Sequence, residues 1–519
     1  MQTTFDFVRL AATRAPDHCA IVDDRIERSL TYLQLVDQIE AVAAGFSSLG
    51  INAGDIVATC LGNSYEHGLA LLALERLGAI PALINARLKS DDVGRLIEQG
   101  RMAGAIVSAD ESIVAAVKDV LPNSAPLMTV GGSVPGSIPG ATEFESSPGP
   151  AENLASYARP DAEATAFIFY TSGTTGLPKG VEIPHRATDS RMLYMSTQCG
   201  LVHGTHNKVL GLMPMFHVVG FYSVLMAALG LDGTYYVCSD FSPGAAIETI
   251  ESEGITLLYG APAHFHGILE APNFAPEKVA SVRNLIYAGS AMPGPLLDRV
   301  DAAFDAKIVN IYGTTEIMNA LYMADPVGRP LTYRPGFYSS VRVGRLGGSV
   351  HDEVDAGVDG ELLVDASSDA NFTGYLHRPE ETIEKVQDGW YRTGDIAVKR
   401  DDGDYDLRGR VDDMINSGGE NIYPEDIEAV LLQMDNVVEC SVIGEPDEKW
   451  GEIVVACLVV SGGEPDQAAL DRHLRASPLA DYKRPRKYRF LKELPKNAAN
   501  KVLRRLLREQ AAEMREDVR

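Results

Sequence analysis

Residues 166–180 read Ala-Phe-Ile-Phe-Tyr-Thr-Ser-Gly-Thr-Thr-Gly-Leu-Pro-Lys-Gly, an apolar run that opens directly into a loop of glycines, hydroxyls and one lysine. The apolar half predicts a buried strand over 166–170. Gly173, Gly176 and Gly180 let the backbone turn and present its N–H groups. Thr171, Ser172, Thr174 and Thr175 add hydroxyls, and Lys179 adds a point charge suited to phosphate. A loop built this way is suited to a polyphosphate. It is not the common nucleotide loop, because Pro178 stands where a glycine belongs and Gly180 where Ser or Thr would reach magnesium.

On either side of this stretch, helical patterns alternate with short apolar strands up to about residue 330, the signature of an α/β fold. A helix is expected over 64–77, begun by Asn63 and Ser64 and stopped by Gly78, with a strand over 79–84. Further strands are expected over 55–60, 105–108, 234–238, 255–259, 284–287 and 308–311. Several are apolar on both faces, as strands covered by helices on two sides are. Residues 131–150, rich in Pro, Gly and Ser, read as a surface excursion. From about 335 the pattern becomes short strands and turns, including a hairpin over 390–410. After residue 411 a small α+β pattern begins: helix 424–434, strands 438–443 and 453–460, helix 467–476, strand 487–491 and a last helix from about 502. The expected organisation is a large N-terminal α/β domain over 1–411, with a β-rich subdomain over about 335–411, and a small mobile C-terminal domain over 412–519.

The net charge of −26 argues against nucleic acid or anionic lipid as a partner. No apolar run approaches the ~18 residues of a membrane span, and the N-terminus lacks the regions of a signal peptide, so a cytoplasmic enzyme is expected. Six cysteines are scattered without metal-type or redox-type spacing, which suits free thiols. Against the acidic background, residues 483–508 carry eleven Lys and Arg and one acid. Such an island implies a polyanionic small ligand, whereas Arg504, Arg505 and Arg508 are expected on the solvated face of a helix.

Four more groups join the loop as site candidates. Tyr312-Gly313-Thr314-Thr315-Glu316 follows an expected strand, where α/β folds place ligands. Thr315 is suited to a phosphate or carboxylate oxygen, and Glu316 is a hard ligand for Mg²⁺. Asp395 in Tyr391-Arg392-Thr393-Gly394-Asp395 can accept from both hydroxyls of a ribose. Gly418-Gly419 lets a thin ligand pass close to the backbone, and Lys501 closes the set. Each has a plainer reading: a capping box for Thr-Thr-Glu, a hairpin turn for Thr-Gly-Asp, a linker for Gly-Gly. Their joint occurrence and order weigh against those readings.

The combination resembles the acyl-adenylate-forming superfamily of acyl-CoA synthetases, carrier-protein adenylation domains and luciferases, over nearly the whole chain. Within it the resemblance is nearest to the 4-chlorobenzoate–CoA ligases. The stretches that carry it are 11–22 (AATRAPDHCAIV), 76–90 (RLGAIPALINARLKS), 210–221 (LGLMPMFHVVGF), 310–323 (NIYGTTEIMNALYM), 409–421 (GRVDDMINSGGEN) and 494–505 (LPKNAANKVLRR). The resemblance implies an aryl-carboxylate–CoA ligase, an AMP-forming acid–thiol ligase with ATP, Mg²⁺ and coenzyme A as cofactors. A small aromatic carboxylic acid would attack the α-phosphate of ATP to give acyl-AMP and pyrophosphate, and the CoA thiol would then displace AMP. Loading onto a carrier protein, or a non-aromatic hydrophobic acid, is the alternative, and a homodimer stays open.

Carried over by position, residues 171–180 would hold the β- and γ-phosphates, Thr315 the α-phosphate, and Glu316 the metal. Tyr312 with Ala288-Gly289-Ser290 would border adenine, and Asp395 with Arg410 would hold ribose. Lys501 would bridge carboxylate and α-phosphate. Asp412 would be the hinge that swings Gly418 and Gly419 over a pantetheine tunnel, while Arg87, Trp450, Tyr482, Arg484 and Arg486 would bind the nucleotide end of CoA. His217 would gate the carboxylate, in a pocket of Tyr194, His217, Val218, Val219, Tyr259, Ala288, Ile311, Gly313, Met318 and Asn319. At Tyr194 and Tyr259 the resemblance implies phenylalanine. Two extra phenol hydroxyls need partners, so an acid bearing a hydroxyl, amino or carbonyl group is expected rather than a halogenated one.

Overall fold

The computed structural model describes residues 2–132, 141–144, 149–150, 154–171, 178–434, 436–463, 465–496 and 502–516. Their strands form three sheets. In the first, of eight strands, Thr165–Thr171 lies between Ile80–Leu83, which it meets in parallel, and Lys179–Pro184, which returns antiparallel. Phe167, Ile168 and Phe169 are all buried, so both faces of this strand are covered and its sequence does not alternate. The register sets Thr171 against Lys179, which fixes the lysine at the root of the glycine loop. The helix expected beside this sheet is Tyr65–Leu77: the Ser64 hydroxyl accepts from the His67 N–H at 3.1 Å, and Gly78 ends the helix at φ 84°.

The second sheet carries six parallel strands in the order Cys19–Asp23, Thr234–Val237, Lys208–Gly211, Leu257–Gly260, Asn284–Ala288 and Lys307–Tyr312. Leu321–Met323 then pairs antiparallel with the last of these. The sheet runs on through Thr332–Pro335, Tyr405–Arg410, Trp390–Lys399, Asp359–Asp365 and Val341–Gly344. The β-rich part is therefore continuous with the α/β sheet, and this continuity brings Asp395 toward the end of the Lys307–Tyr312 strand.

The third sheet joins Glu420–Ile422, Ile415–Ser417, Gly451–Val460 and Val437–Asp447, with Lys487–Phe490 added in parallel. Helices Pro424–Leu431 and Gln467–Ala476 pack on it through Ile427, Leu431, Leu470 and Leu474. No helix among the described residues is long and apolar enough to cross a membrane.

Two expectations change. Within 131–150, Ala141–Glu143 extends the first sheet beside Leu127–Val130, and Phe144 is buried against Phe46 with ring centroids 6.1 Å apart. That part is a sheet edge, because an aromatic side chain anchors it. In the last helix, Arg504–Glu516, Arg505 is exposed, but Arg504 pairs with Asp413, Glu425 and Glu428, and Arg508 with Asp413. Arg504 and Arg508 thus form an inward-facing clamp.

Candidate active site

The ends of the parallel strands bring together Tyr259, Ala288 and Ile311, with Ala288 directly opposite Ile311. Gly289 and Ser290 form the exposed turn after Ala288, and Gly289 takes φ 89°. Beyond Tyr312 the chain curls back on itself: the Met318 N–H donates to the Thr314 carbonyl at 2.7 Å, and Met318 takes φ 53°. A Cβ on Gly313 would lie 1.3 Å from the Met318 carbonyl oxygen, so only glycine fits there. No helix follows Thr315 and Glu316, and the capping-box reading fails. Nor does Thr393-Gly394-Asp395 make a turn; it lies inside the strand Trp390–Lys399.

The adenine and ribose candidates form one cluster. The Tyr312 hydroxyl donates to Asp395 Oδ2 at 2.5 Å, and Arg410, paired with Asp395 in the strand register, places Nη1 3.5 Å from Asp395 Oδ1. Burial opposes the Arg410 charge, yet Asp395, Tyr312 and Asp412 outweigh it and hold the guanidinium proton more firmly. Asp395 is thereby pre-aligned as an acceptor.

The phosphate and metal candidates form a second cluster. Glu316 is buried, and its Oε1 accepts from the Tyr375 hydroxyl at 2.7 Å. Lys179 Nζ sits 5.5 Å from the centre of the Tyr375 ring and forms an ion pair with Glu381, whose Oε1 also accepts from Arg378 Nη1 at 2.8 Å. Behind Thr315 and Glu316 lies Arg191, fully buried, donating to the carbonyls of Ala370 (2.8 Å), Thr315 (3.1 Å) and Glu316 (3.3 Å). Burial lowers its pKa to about 10, so it remains charged at neutral pH behind the turn. Ser172, Gly173, Thr174, Thr175, Gly176 and Lys501 lie outside the described residues.

Around the acid candidates, Tyr194, Val218, Tyr259, Ile311, Met318 and Asn319 are buried, and Val219 and His217 are half-buried. His217 is not a satisfied core histidine: its Nε2 is buried without a partner among the described residues. Burial, then the nearby Arg87 charge, lowers its pKa to about 4, and the ring is neutral. Asn319 reaches Gln198 Oε1 at 3.4 Å.

On the third sheet, Gly418 and Gly419 turn the hairpin between Ile415–Ser417 and Glu420–Ile422. The Gly418 N–H donates to the Trp450 carbonyl at 2.8 Å, and a Cβ at Gly418 would lie 2.8 Å from the Trp450 ring. Arg486 lies over the same ring at 4.5 Å. Three CoA candidates thus form one surface. Tyr482 is exposed nearby in sequence, and Arg484 is held by Asp481 at 3.1 Å. Arg87 stands apart, on the exposed turn after Ile80–Leu83, where its charge acts on His217 and His264. Asp412 is exposed in the short helical turn Val411–Asp413.

The family model described as AMP-binding enzyme matches residues 8–376, and that of its C-terminal domain matches 426–501. The chain belongs to the AMP-binding enzyme family. It is 43% identical over 515 residues to a 4-chlorobenzoate–CoA ligase of Arthrobacter sp., spanning 98% of this chain and 95% of that protein. A 4-chlorobenzoate–CoA ligase of Pseudomonas sp. (strain CBS-3) is 40% identical over 519 residues, with 98% and 94% covered. Among solved structures, the anthranilate CoA ligase AuaEII in complex with anthranoyl-AMP superposes with a TM-score of 0.89 at 24% identity, covering 99% of this chain and 98% of that one.

In this AMP-binding enzyme, three residues of the phosphate and metal cluster escape the sequence patterns: Arg191, Tyr375 and Glu381. Arg191 had a signal, a lone arginine between Ser190 and Met192-Leu193-Tyr194 in a helix most of whose residues are buried. Tyr375 and Glu381 act across the fold and carry no local signature.

Proposed function

We propose that this chain is an ATP-dependent aryl-carboxylate–CoA ligase, forming an acyl-AMP and then an acyl-CoA thioester with release of pyrophosphate and AMP. The observation that carries this reading is that the short segment from Tyr312 to Glu316, just after the parallel strand Lys307–Tyr312, joins the Tyr312–Asp395–Arg410 cluster to the Lys179–Tyr375–Glu316 cluster. The first suits a nucleoside and the second its polyphosphate, and a half-buried, neutral His217 adjoins an apolar pocket suited to a ring. The relatives above, named as aryl-CoA ligases, supply the reaction class.

In the adenylation step, residues 171–180 hold the β- and γ-phosphates, Thr315 contacts the α-phosphate, and Asp395 and Arg410 hold the ribose. Tyr312 and residues 288–290 border adenine. His217 and Gly313 flank the carboxylate, and Lys501 offers its charge where negative charge gathers. One buried carboxylate, Glu316, with one oxygen engaged by Tyr375, fits Mg²⁺, which binds through one or two carboxylates, water and substrate phosphates. When bound, the ion neutralises phosphate charge.

The domain division at 411/412 belongs to the same proposal. The hydrophobic clusters on the two sides share no residue: every member of the C-terminal pair is numbered 415 or higher. Rotation about Asp412 brings Gly418, Gly419, Trp450 and Arg486 to the site for thioester formation, and Arg87, Tyr482 and Arg484 complete the CoA contacts.

The test is carboxylate-dependent exchange of pyrophosphate into ATP across benzoates, cinnamates, alicyclic and fatty acids. The exchange is expected with benzoates, and its absence from the whole panel overturns the reading. AMP release with free CoA, set against a phosphopantetheinylated carrier protein, separates the ligase from an adenylation enzyme.

A further inference from the structure

Three hydroxyls meet in the apolar interior that also holds Ala288 and Ile311. Tyr194, from the helix Ala187–Thr197, donates to Ser223 Oγ. Tyr259, from the strand Leu257–Gly260, has a hydroxyl that makes no aligned hydrogen bond among the described residues, although Tyr194 and Ser223 are near enough to change its proton affinity. Tyr194 and Tyr259 are both 0% exposed, as is Ser223, and the two tyrosines belong to the main hydrophobic cluster, with the Cys199 thiol near both.

This group is unusual energetically. A buried hydroxyl left without a partner is destabilising, and a phenylalanine in place of Tyr259 would avoid that cost. Ser223 lies in the segment Val219–Leu225, a π-helical stretch that begins two residues after His217. Such wide turns are rare and recur at functional sites. His217, whose Nε2 is a second buried orphan, thus stands two residues before the segment that holds the serine receiving Tyr194. His217 Nε2 and the Tyr259 hydroxyl, both buried without a hydrogen-bond partner among the described residues, are two polar atoms that a molecule with two polar ends could satisfy.

We propose that Tyr194, Ser223 and Tyr259 form a polar contact for a hydrogen-bonding substituent on the ring of the acid. This deepens the ligase reading and rests on it. The substrate class is then an aryl carboxylate carrying a ring hydroxyl, amino or carbonyl group, and Ser223 and Tyr259 are specificity-determining residues. A site built to bond a polar group discriminates strongly against an analogue lacking it, because its own groups are then left unpaired. Halogen or methyl in that position leaves the Tyr259 hydroxyl as it stands.

The experiment compares kcat/KM for meta- and para-hydroxybenzoate and aminobenzoate with the chloro- and methylbenzoates, by pyrophosphate release, in the wild type, Tyr259→Phe and Ser223→Ala. The wild type is expected to favour the polar acids at least about tenfold. In Tyr259→Phe the ratio should fall toward one, chiefly through loss with the polar acids. Ser223→Ala gives the same trend with a smaller change in packing, and melting temperatures confirm that both variants fold. Equal or better turnover of the halogenated acids by the wild type overturns the contact and leaves the ligase reading in place; so does a ratio unchanged in both variants. No turnover of any aryl acid overturns the ligase reading and the contact together.

Discussion

Tyr375 donates its hydroxyl to Glu316 Oε1 at 2.7 Å, so the carboxylate proposed to hold Mg²⁺ is aimed by a phenol from a different part of the chain. Tyr375→Phe is expected to leave the fold intact and to raise the Mg²⁺ concentration for half-maximal adenylation by about fivefold, the worth of one hydrogen bond of about 1 kcal/mol. Thioester formation from synthetic acyl-AMP should not respond. A Mg²⁺ titration of both half-reactions checks this.

Glu381 shares its carboxylate between Lys179 and Arg378. Burial alone would raise its pKa, but the two cations prevail and keep it ionised. A polyphosphate arriving at Lys179 must displace it. Glu381→Gln is expected to lower KM for ATP and to strengthen inhibition by pyrophosphate, each by about three- to tenfold, with steeper salt dependence. Product-inhibition kinetics at two ionic strengths provide the measurement.

Lys501→Ala and Asp412→Pro should separate the half-reactions. A cation ~4 Å from the reacting oxygens at an effective dielectric near 20 is worth about 4 kcal/mol, or about three decades. Lys501→Ala should lose that in acyl-AMP formation while sparing thioester formation from supplied acyl-AMP. Asp412→Pro, by stiffening the backbone, should do the reverse. Single-turnover assays of each step decide it.

His217 titrates near pH 4 in the folded protein against an ordinary 6.5, because burial and then Arg87 disfavour its charge. Its folded pKa is depressed, so the unfolded chain binds the proton first as pH falls. Stability is expected to be unaffected by His217 above pH 6.5 and to decline from there toward pH 4. The gap between wild type and His217→Gln in denaturant midpoint should narrow over that window.

Much of the fold could be read locally. The strand over 166–170 appears as Thr165–Thr171, and the helix over 467–476 as Gln467–Ala476, because both depend on nearest-neighbour pattern and capping. Gly418 was readable as a glycine where a ligand passes close to the backbone, and the structure sets the Trp450 ring against it; Gly313, expected only as a pocket residue, proves to be required by the Met318 carbonyl. What could not be read depends on distant pairing. The role of Arg191 is set by carbonyls more than a hundred residues away. Phe144 was hidden in a Pro- and Gly-rich segment, where the anchoring ring Phe46 lies in another helix. The fate of Arg504 and Arg508 followed from three acids that only the fold places opposite them.

Arg504 stands three residues beyond Lys501, and it grips Asp413, one residue beyond Asp412, as well as Glu425 and Glu428. The far end of the chain is thereby leashed to its proposed pivot. Rotation at Asp412 would be transmitted to the lysine with little slack, as through a crank whose throw is set by an ion-pair cluster. Shortening or lengthening the tether between residues 501 and 504 by one residue should then mistime the stroke even where every reacting group is intact.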